Sequence, residues 1–305
     1  MINGELCFGK YRPSAMFKVT GEDACTYLQG QFANDLHQPV GSVIYGVWLN
    51  QKGRVLADSF ALRLAEQEFL LVSLTSAADL LRQRLEKYII ADDVALQDET
   101  GKIHGLTIFG AGSSEGARIL GGAVPPRGQF LAANECLIFA GRRSGAENFE
   151  ILGPAPRMVE LAAHLRKING TEVGAEEIEF LRIHSGIPAV PLDVGPGDLP
   201  HEGGLEHSAV SYAKGCYLGQ EVMARLKGMG QIRRRLFVVT GPAAQLRPQA
   251  PLYQAEKKVG EIRTAANRGG ESVALAMLAL LPLDRAAGLS TGPDQPATLR
   301  ILALE

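Results

Sequence analysis

The sequence lacks a hydrophobic run long enough to cross a bilayer, and it lacks an excess of charge of either sign. Its longest apolar stretch, residues 273–283, is far shorter than the roughly 20 residues of a membrane-spanning helix. Residues 1–12 show no basic segment followed by an apolar run, so no signal peptide is expected. The formal net charge of -2 gives no general attraction to nucleic acid or to an anionic membrane. We therefore expect a cytoplasmic protein with no membrane partner and no direct nucleic-acid binding.

Cysteine is also scarce, and its spacing disfavours the common multi-cysteine sites. Cys7, Cys25, Cys136 and Cys216 are widely separated, and no C-x-x-C pair is present. Zinc ribbons and ferredoxin-type clusters need several closely spaced thiolates, so neither is expected and no metal site is predicted. In a reducing compartment we expect free thiols, three of them packed as small buried hydrophobic side chains.

Hydrophobic periodicity predicts a mixture of helices and strands, which is typical of the α+β class. Residues 55–64 and 68–74 are predicted to form a strand pair joined by a short polar turn. Thr20 and Ser76 each precede an acid by three residues, a capping-box pattern that predicts a helix start at each. Further strands are predicted at 103–109, 136–140 and 149–152, and further helices after Pro156 and at 175–185.

After Arg235 the pattern changes to short strands separated by turns rich in proline and glycine. These strands are predicted at 236–240, 258–264, 273–281 and 298–304. Such a series favours a small all-β domain of the barrel type. We expect an α+β region over 1–232 and a C-terminal β-barrel domain over 233–305. Residues 187–215 form a long aperiodic stretch between the last predicted helix and the cluster described next, and loops of that length are usually functional or flexible.

The densest group of chemically capable residues is the segment K-G-C-Y-L-G-Q-E at 214–221. Two glycines flank Cys216, and they permit a tight turn and the close approach of a ligand. Lys214, Arg225 and Lys227 supply positive charge, which favours the thiolate, the reactive form of cysteine. The alternative is a tight turn with an inert, packed cysteine, and the residues alone leave both interpretations open.

The 214–221 segment resembles the K-G-C-Y-x-G-Q-E signature of the YgfZ family, which is related to the glycine-cleavage T-protein (aminomethyltransferase). Three other segments resemble motifs of that family in the same order along the chain. They are 27–36 (L-Q-G-Q-x-x-N-D), 49–58 (L-N-x-x-G-R-x-x-x-D) and 182–188 (R-x-x-x-G-I-P). On this ordered set the chain is identified as a member of the family.

The resemblance implies a T-protein-like ring of domains around a central hole, with two interleaved α+β subdomains within 1–232. It implies that the hole receives tetrahydrofolate or a related reduced folate. It also implies a role in assembling or repairing iron–sulfur proteins, in partnership with them or their assembly machinery, and a link to tRNA modification. Cys216, assisted by Lys214, would be the functional thiol and would meet a cluster, a persulfide or a partner's thiol. The folate contacts implied are Asn50, Asp58, His184, Tyr217 and Arg225.

Two departures from the aminomethyltransferases argue against that activity. Their G-G-x-x-D-D segment carries two acids, and Ala57 replaces the first, which removes a charge partner and a proton acceptor. His184 stands where their R-L-E-A-G helix end carries a glutamate, and an imidazole cannot accept two parallel hydrogen bonds as a carboxylate does. We do not expect a classical aminomethyltransferase. A folate-dependent one-carbon enzyme is the alternative, and a non-catalytic docking scaffold is a third.

Four other features have a simpler explanation than a functional site. Residues 110–116 resemble a phosphate loop, but without a second βαβ unit a strand–turn–helix connection is favoured. Residues 201–207 hold two histidines and two glutamates, but their spacing is not that of a standard metal site. The arginines at 233–235 could meet phosphates or the acidic tail of a polyglutamylated folate, although alternation along a strand lets only part of the run face one site. Trp48 is expected in the core rather than stacked on a pterin.

Overall fold

The computed structural model describes residues 6–281 and 283–303. The strands are β1 (Cys7–Tyr11), β2 (Ala15–Thr20), β3 (Val43–Leu49), β4 (Val55–Ala65), β5 (Glu68–Ser73), β6 (Ala95–Asp98), β7 (His104–Phe109), β8 (Phe130–Ala133), β9 (Cys136–Ala140), β10 (Asn148–Gly153), β11 (Thr171–Glu172), β12 (Arg234–Thr240), β13 (Pro251–Gln254), β14 (Lys257–Arg268), β15 (Glu271–Ala279) and β16 (Arg300–Ile301). The helices are α1 (Ala24–Gln31), α2 (Ala78–Glu86), α3 (Ser113–Gly121), α4 (Ala155–Lys167), α5 (Ala175–His184) and α6 (Gln220–Met229), with a short 3-10 helix, η1 (Pro200–Gly203).

The first sheet has the strand order β3-β4-β5-β2-β6 and is antiparallel throughout. Its β4–β5 pair confirms the strand pair predicted from the alternating pattern. One face of the sheet carries Trp48, Phe17 and other apolar side chains that pack under α1 and α2. The opposite face carries Phe60 and its neighbours, which pack against the second sheet. Trp48 is fully buried, so its predicted place in the core is confirmed.

The second sheet has the order β11-β1-β7-β10-β9-β8, so the first strand of the chain pairs with strands from much later in the sequence. Helices α3 and α4 pack on its outer face. Its inner face meets the first sheet, with the rings of Phe60 and Phe139 5.2 Å apart. The two sheets and these four helices therefore stack in the order helices, sheet, sheet and helices, and polar side chains that point between the two sheets are enclosed.

The third sheet, of order β13-β14-β15-β12-β16, lies in the C-terminal part of the chain. It is curled, and single bridges from Tyr253 to Ser290 and from Leu289 to Leu299 run between its two edges. Helix α5 packs on its face through Phe180 and Ile183. The predicted α+β class with a curled C-terminal β-region is confirmed. Of the last predicted strand, 298–304, only residues 300–301 are strand, and Leu304 lies outside the described residues.

Both predicted helix caps are wrong, and each for a tertiary reason. Thr20 is the last residue of β2, where it pairs with Glu68, so its backbone belongs to the sheet and α1 begins only at Ala24. The Ser76 hydroxyl lies 2.8 Å from Asp58 Oδ1, and α2 begins without a side-chain cap. The buried Asp58 carboxylate needs hydrogen-bond donors, so the Ser76 hydroxyl bonds to it instead of capping the helix.

Candidate functional site: a thiol arch and an enclosed polar cavity

Cys216 lies on a short arch, residues 214–218, that leads into α6. It is exposed, whereas Cys7, Cys25 and Cys136 are buried. The three buried cysteines agree with the sequence-based expectation. A thiol must be accessible to react, so Cys216 is the candidate that the structure leaves available to another molecule.

Lys214 starts the arch, and its ammonium is buried against the end of α1. Its Nζ donates hydrogen bonds of 2.7, 2.7 and 2.9 Å to the carbonyl oxygens of Gln29, Phe32 and Asn34. An ammonium has three hydrogens, so the three carbonyls take up all of them. The Lys214 ammonium is thus hydrogen-bonded to backbone carbonyls rather than to the thiol. The expected effect of its charge on the Cys216 sulfur stays a prediction.

The turn at Asn50–Gly53 packs directly against the start of α6, which brings two of the sequence motifs together. Asn50 Oδ1 accepts hydrogen bonds from the backbone N–H groups of Lys52 and Arg54, so it builds the turn. Gly219 has φ +87°, and a Cβ there would lie 2.8 Å from the Asn50 carbonyl oxygen. Only glycine fits both the conformation and the contact.

Asp58 lies between the two sheets and accepts hydrogen bonds from three hydroxyl groups. Tyr45 donates to Oδ2 at 2.9 Å, and Ser73 and Ser76 donate to Oδ1 at 3.0 and 2.8 Å. Burial raises the pKa of Asp58, and the three donors oppose that shift. Asp58 and Tyr45 border a cavity of about 50 Å³ that Arg142, Arg143 and Arg182 also line.

Beside this cavity lies a buried acid that the sequence analysis missed, Glu150 in β10. Its side chain is fully buried, and Oε1 accepts from Arg143 Nε at 2.9 Å. The guanidinium carbon of Arg143 lies 4.0 Å from the ring centroid of Tyr11. Glu150 Oε2, Arg143 Nη2 and the Tyr11 hydroxyl make no well-aligned hydrogen bond in the described structure, although the Tyr11 hydroxyl interacts with both Glu150 and Arg143. A buried polar cluster with this incomplete geometry has room for a further hydrogen-bonding partner, such as a polar ligand or water.

A larger cleft of about 450 Å³ adjoins the small cavity, and Tyr45 lines both. Asn34, Asp35, Arg127 and Ser208 are among the polar residues of the cleft. The guanidinium of Arg142 lies 3.6 Å above the Tyr45 ring, and its Nη1 lies 3.4 Å from Ser208 Oγ. Tyr45 and Arg142 therefore form the wall between the open cleft and the enclosed cavity.

The remaining predicted site residues lie in several places. His184 is exposed at the end of α5, where its ring stacks on Phe180 at 5.8 Å. Arg225 is exposed on α6 and pairs with Glu221 at 3.0 Å. Tyr217 is buried in the apolar cluster under the arch. The structure thus brings Asn50 and Tyr217 together at the thiol arch and places Asp58 at the cavity. Arg225 pairs only with Glu221 of its own helix among the described contacts, and His184 is not among the residues that line the cavity.

The other sequence features also have structural explanations. Residues 110–116 connect β7 to α3, and the Glu147 carboxylate lies against the hydroxyl groups of Ser113 and Ser114. His201 Nε2 lies 2.9 Å from the Tyr212 hydroxyl. Of the three consecutive arginines, Arg234 pairs with Asp198 and Glu202, as alternation along β12 predicts for one of them. In the described ranges no group of three His, Cys, Asp or Glu residues could hold a metal, and no helix is long and apolar enough to span a bilayer.

Replacing Tyr217 with phenylalanine should leave the free energy of unfolding unchanged or raise it by about 1 kcal/mol. The Tyr217 hydroxyl is buried and has no hydrogen-bond partner within residues 6–281 and 283–303. Its removal therefore also removes a desolvation free energy that no hydrogen bond offsets. Tyr27→Phe is the matched control, because the Tyr27 hydroxyl donates to the Leu85 carbonyl at 2.5 Å; its loss should cost about 1–3 kcal/mol. Urea unfolding of both variants checks this. A Tyr217→Phe protein as unstable as Tyr27→Phe would contradict it.

Comparison with known proteins gives a consistent family assignment. A family model described as the GCVT N-terminal domain matches residues 12–214. The human iron-sulfur cluster assembly factor IBA57, mitochondrial, is 28% identical over 86% of this chain and 74% of its own length. The tRNA-modifying protein YgfZ of Edwardsiella ictaluri is 28% identical over 75% of this chain and 69% of its length. The IBA57 homolog of Mycosarcoma maydis is 27% identical, and the chain spans only 58% of it.

Among solved structures, the glycine cleavage system aminomethyltransferase T from Bartonella henselae superposes with a TM-score of 0.82. The match covers 99% of this chain and 86% of that one, at 19% identity. The predicted T-protein-like fold is therefore confirmed. At this identity the likeness concerns the fold and says nothing about activity.

Proposed function

This chain belongs to the GCVT N-terminal domain family as a YgfZ-type protein, and from that premise we propose that it is a folate-binding accessory factor for the assembly or repair of iron–sulfur proteins that acts through Cys216. Relatives named for iron–sulfur cluster assembly and for tRNA modification support a role in one of these two processes. The observation that carries the proposal is the accessible thiol on a fixed arch. The cavity bordered by Asp58, with the buried acid Glu150 beside it, supports the folate part.

A single thiol suits a transient role better than a storage role. One cysteine cannot hold a cluster alone, because clusters are held by several thiolates. The arch presents Cys216 outward, where a protein-sized partner can reach it. Its backbone is fixed by hydrogen bonds on both sides, so the thiol keeps its position before a partner arrives, and less ordering free energy is lost on binding.

The part of a reduced folate that suits the Glu150 carboxylate is the hydrogen-bonding edge of the pterin. That edge presents parallel N–H donors, as a guanidinium does, and a carboxylate accepts both. Arg143 now occupies this position, since it is bonded to Glu150 and stacked on Tyr11. The cavity of about 50 Å³ is well below the roughly 300–1,000 Å³ of ordinary ligand pockets. We infer that Glu150 holds the pterin after the Arg143 guanidinium moves aside, with the rest of the folate in the 450 Å³ cleft.

The structure gives no support to aminomethyl transfer by position 57. Ala57 is fully buried in the apolar cluster beneath α1 and α2, on the face of β4 opposite to Asp58. No carboxylate from this position faces the cavity, and Asp58 is already bonded to three hydroxyl groups. The charge partner that an amine substrate would need is therefore not supplied here.

Calorimetric titration with tetrahydrofolate tests the folate part of the proposal. Wild type and Cys216→Ala should bind with equal affinity, because the thiol arch does not contribute to the cavity lining. At a hundredfold excess over Kd the ligand should stabilise either protein by about 2.7 kcal/mol, which a thermal shift would show. p-Aminobenzoylglutamate, which lacks the pterin, is the control ligand and should bind far more weakly. Absence of binding heat together with an unchanged melting temperature would refute folate binding.

A further inference from the structure

The arch that carries Cys216 caps the C-terminal end of α1. A helix leaves its last four carbonyl groups without partners in the helix itself. In α1 the Gln29 carbonyl receives the Lys214 ammonium at 2.7 Å, and the Gly30 carbonyl receives the Leu218 N–H at 3.1 Å. The two ends of the arch thus meet consecutive carbonyls of one helical turn, and a cation at this end also suits the helix dipole.

The remaining contacts of the arch reinforce these two. The Lys214 ammonium also binds the Phe32 and Asn34 carbonyls just beyond the helix. Gln220 Nε2 lies 3.3 Å from the carbonyl oxygens of both Lys214 and Gly215, inside the arch. Among these groups the ammonium supplies the largest number of hydrogen bonds between the arch and α1, across a sequence separation of 180 residues or more.

We propose that Lys214 is a positioning residue for Cys216: its side-chain nitrogen holds the thiol arch on the end of α1 through three backbone carbonyls. The inference rests on the proposed role of Cys216 as the reactive thiol. A side chain without this nitrogen leaves all three carbonyls without their shared donor. Lys214 acts here through the backbone geometry of the arch, without contact to the substrate.

Several charged or titratable groups surround the ammonium. Asp35, on the segment after α1, favours the charged form, and burial disfavours it more strongly, so the pKa of Lys214 falls to about 8. The Tyr217 ring on the arch lies 5.1 Å from Nζ, and burial raises the pKa of this tyrosine far above the neutral range. Burial likewise raises the pKa of Tyr212 to about 12. Lys214 is thus held by backbone carbonyls in a site where burial, and not a neighbouring charge, sets its pKa.

The depressed pKa sets the sign of the pH dependence. Between the folded pKa of about 8 and the ordinary value of 10.5, the unfolded chain binds a proton that the folded chain has lost. The lysine therefore contributes a stability that rises with pH through this window. Substitution of Lys214 at a fixed pH, rather than a change of pH, isolates its effect on the arch.

Amide hydrogen exchange tests the proposal in the intact protein. After correction for intrinsic rates, protection of the peptide containing Leu218 at neutral pH should be about tenfold lower in Lys214→Met than in wild type. Protection of β15 is the internal control and should be equal in the two proteins. Lys214→Arg keeps a charged donor, so its Leu218 protection should lie closer to that of wild type than that of Lys214→Met does.

Each outcome decides the proposal. Equal protection of Leu218 in Lys214→Met and wild type would overturn it. If Lys214→Met does not fold, Lys214→Gln, which keeps a shorter donor, replaces it, and wild-type protection of Leu218 in that variant would likewise overturn the proposal. A cellular assay of iron–sulfur enzyme activity completes the test, with Lys214→Met impaired and Lys214→Arg restored at neutral pH. If Cys216→Ala is fully active, the proposed function fails, yet the exchange result still reports whether Lys214 holds the arch.

Discussion

Cells that depend on the Cys216→Ala protein should lose the iron–sulfur enzyme activity that the wild-type protein supports. The thiol is the group that the arch presents, and alanine removes it without adding atoms or charge. Because Cys216 is exposed, the free energy of unfolding should change by no more than about 0.5 kcal/mol. Complementation of a deletion strain, with aconitase-type activity measured in lysates and protein levels measured in parallel, checks both parts.

The matched control is Cys25→Ala, which removes a thiol of the same type from a buried site. That variant should keep full activity and lose stability, because a cavity is left in the apolar cluster around α1. Cys216→Ser separates chemistry from size, and it should be as inactive as Cys216→Ala. Full activity of Cys216→Ala would favour a docking scaffold, in which substitutions on the surface around the arch rather than the thiol abolish function.

Local sequence patterns predicted the elements whose structure depends mainly on residues close by in the sequence. The β4–β5 hairpin follows from strict alternation about a short polar turn, and Trp48 in the core follows from its size. Cys216 was found because its motif is local: the residues that define the arch are contiguous in sequence.

Features that depend on distant pairing could not be predicted in this way. Lys214 binds carbonyls 180 to 185 residues away, so its buried position depends on the complete fold. Ser76 had a good capping pattern, but the buried Asp58 is a stronger competitor for its hydroxyl. Glu150 carries one local signal, a lone acid inside an apolar strand. Its surroundings, Arg143 and Tyr11, depend on the tertiary structure that places them beside β10.

The two parts of the candidate site are chemically independent but structurally linked. The arch rests on the end of α1, and Asn34, whose carbonyl receives Lys214, also lines the cleft. Its side-chain amide donates to the Tyr45 carbonyl at 2.8 Å, and Tyr45 forms the wall of the cavity. A ligand that moves Tyr45 or Arg142 therefore changes the surface that carries the thiol arch. This continuity is a physical route by which folate occupancy could influence Cys216.

Replacing Glu150 with glutamine should weaken tetrahydrofolate binding by about a hundredfold. The carboxylate can accept two parallel hydrogen bonds from the pterin edge, whereas the amide accepts on one atom and presents a donor on the other. A charge-assisted hydrogen bond contributes about 1.5–3 kcal/mol, which corresponds to roughly ten- to a hundredfold in affinity. Calorimetry on the folded variant measures the effect. Glu160→Gln, at an exposed position of α4, is the control and should bind as wild type does.

The same site predicts an opposite change for Arg143→Met. In the wild type the Arg143 guanidinium is bonded to Glu150 and stacked on the Tyr11 ring. A pterin must displace this guanidinium, and the displacement reduces the free energy of folate binding. Methionine removes this competitor and should raise the affinity about tenfold, the factor that corresponds to one net hydrogen bond. It also leaves a buried carboxylate without its cation, which costs about 3–5 kcal/mol of stability until the ligand binds. Saturating folate should therefore raise the melting temperature of Arg143→Met more than that of wild type. If both Glu150→Gln and Arg143→Met bind folate as wild type does, the ligand does not use this cavity.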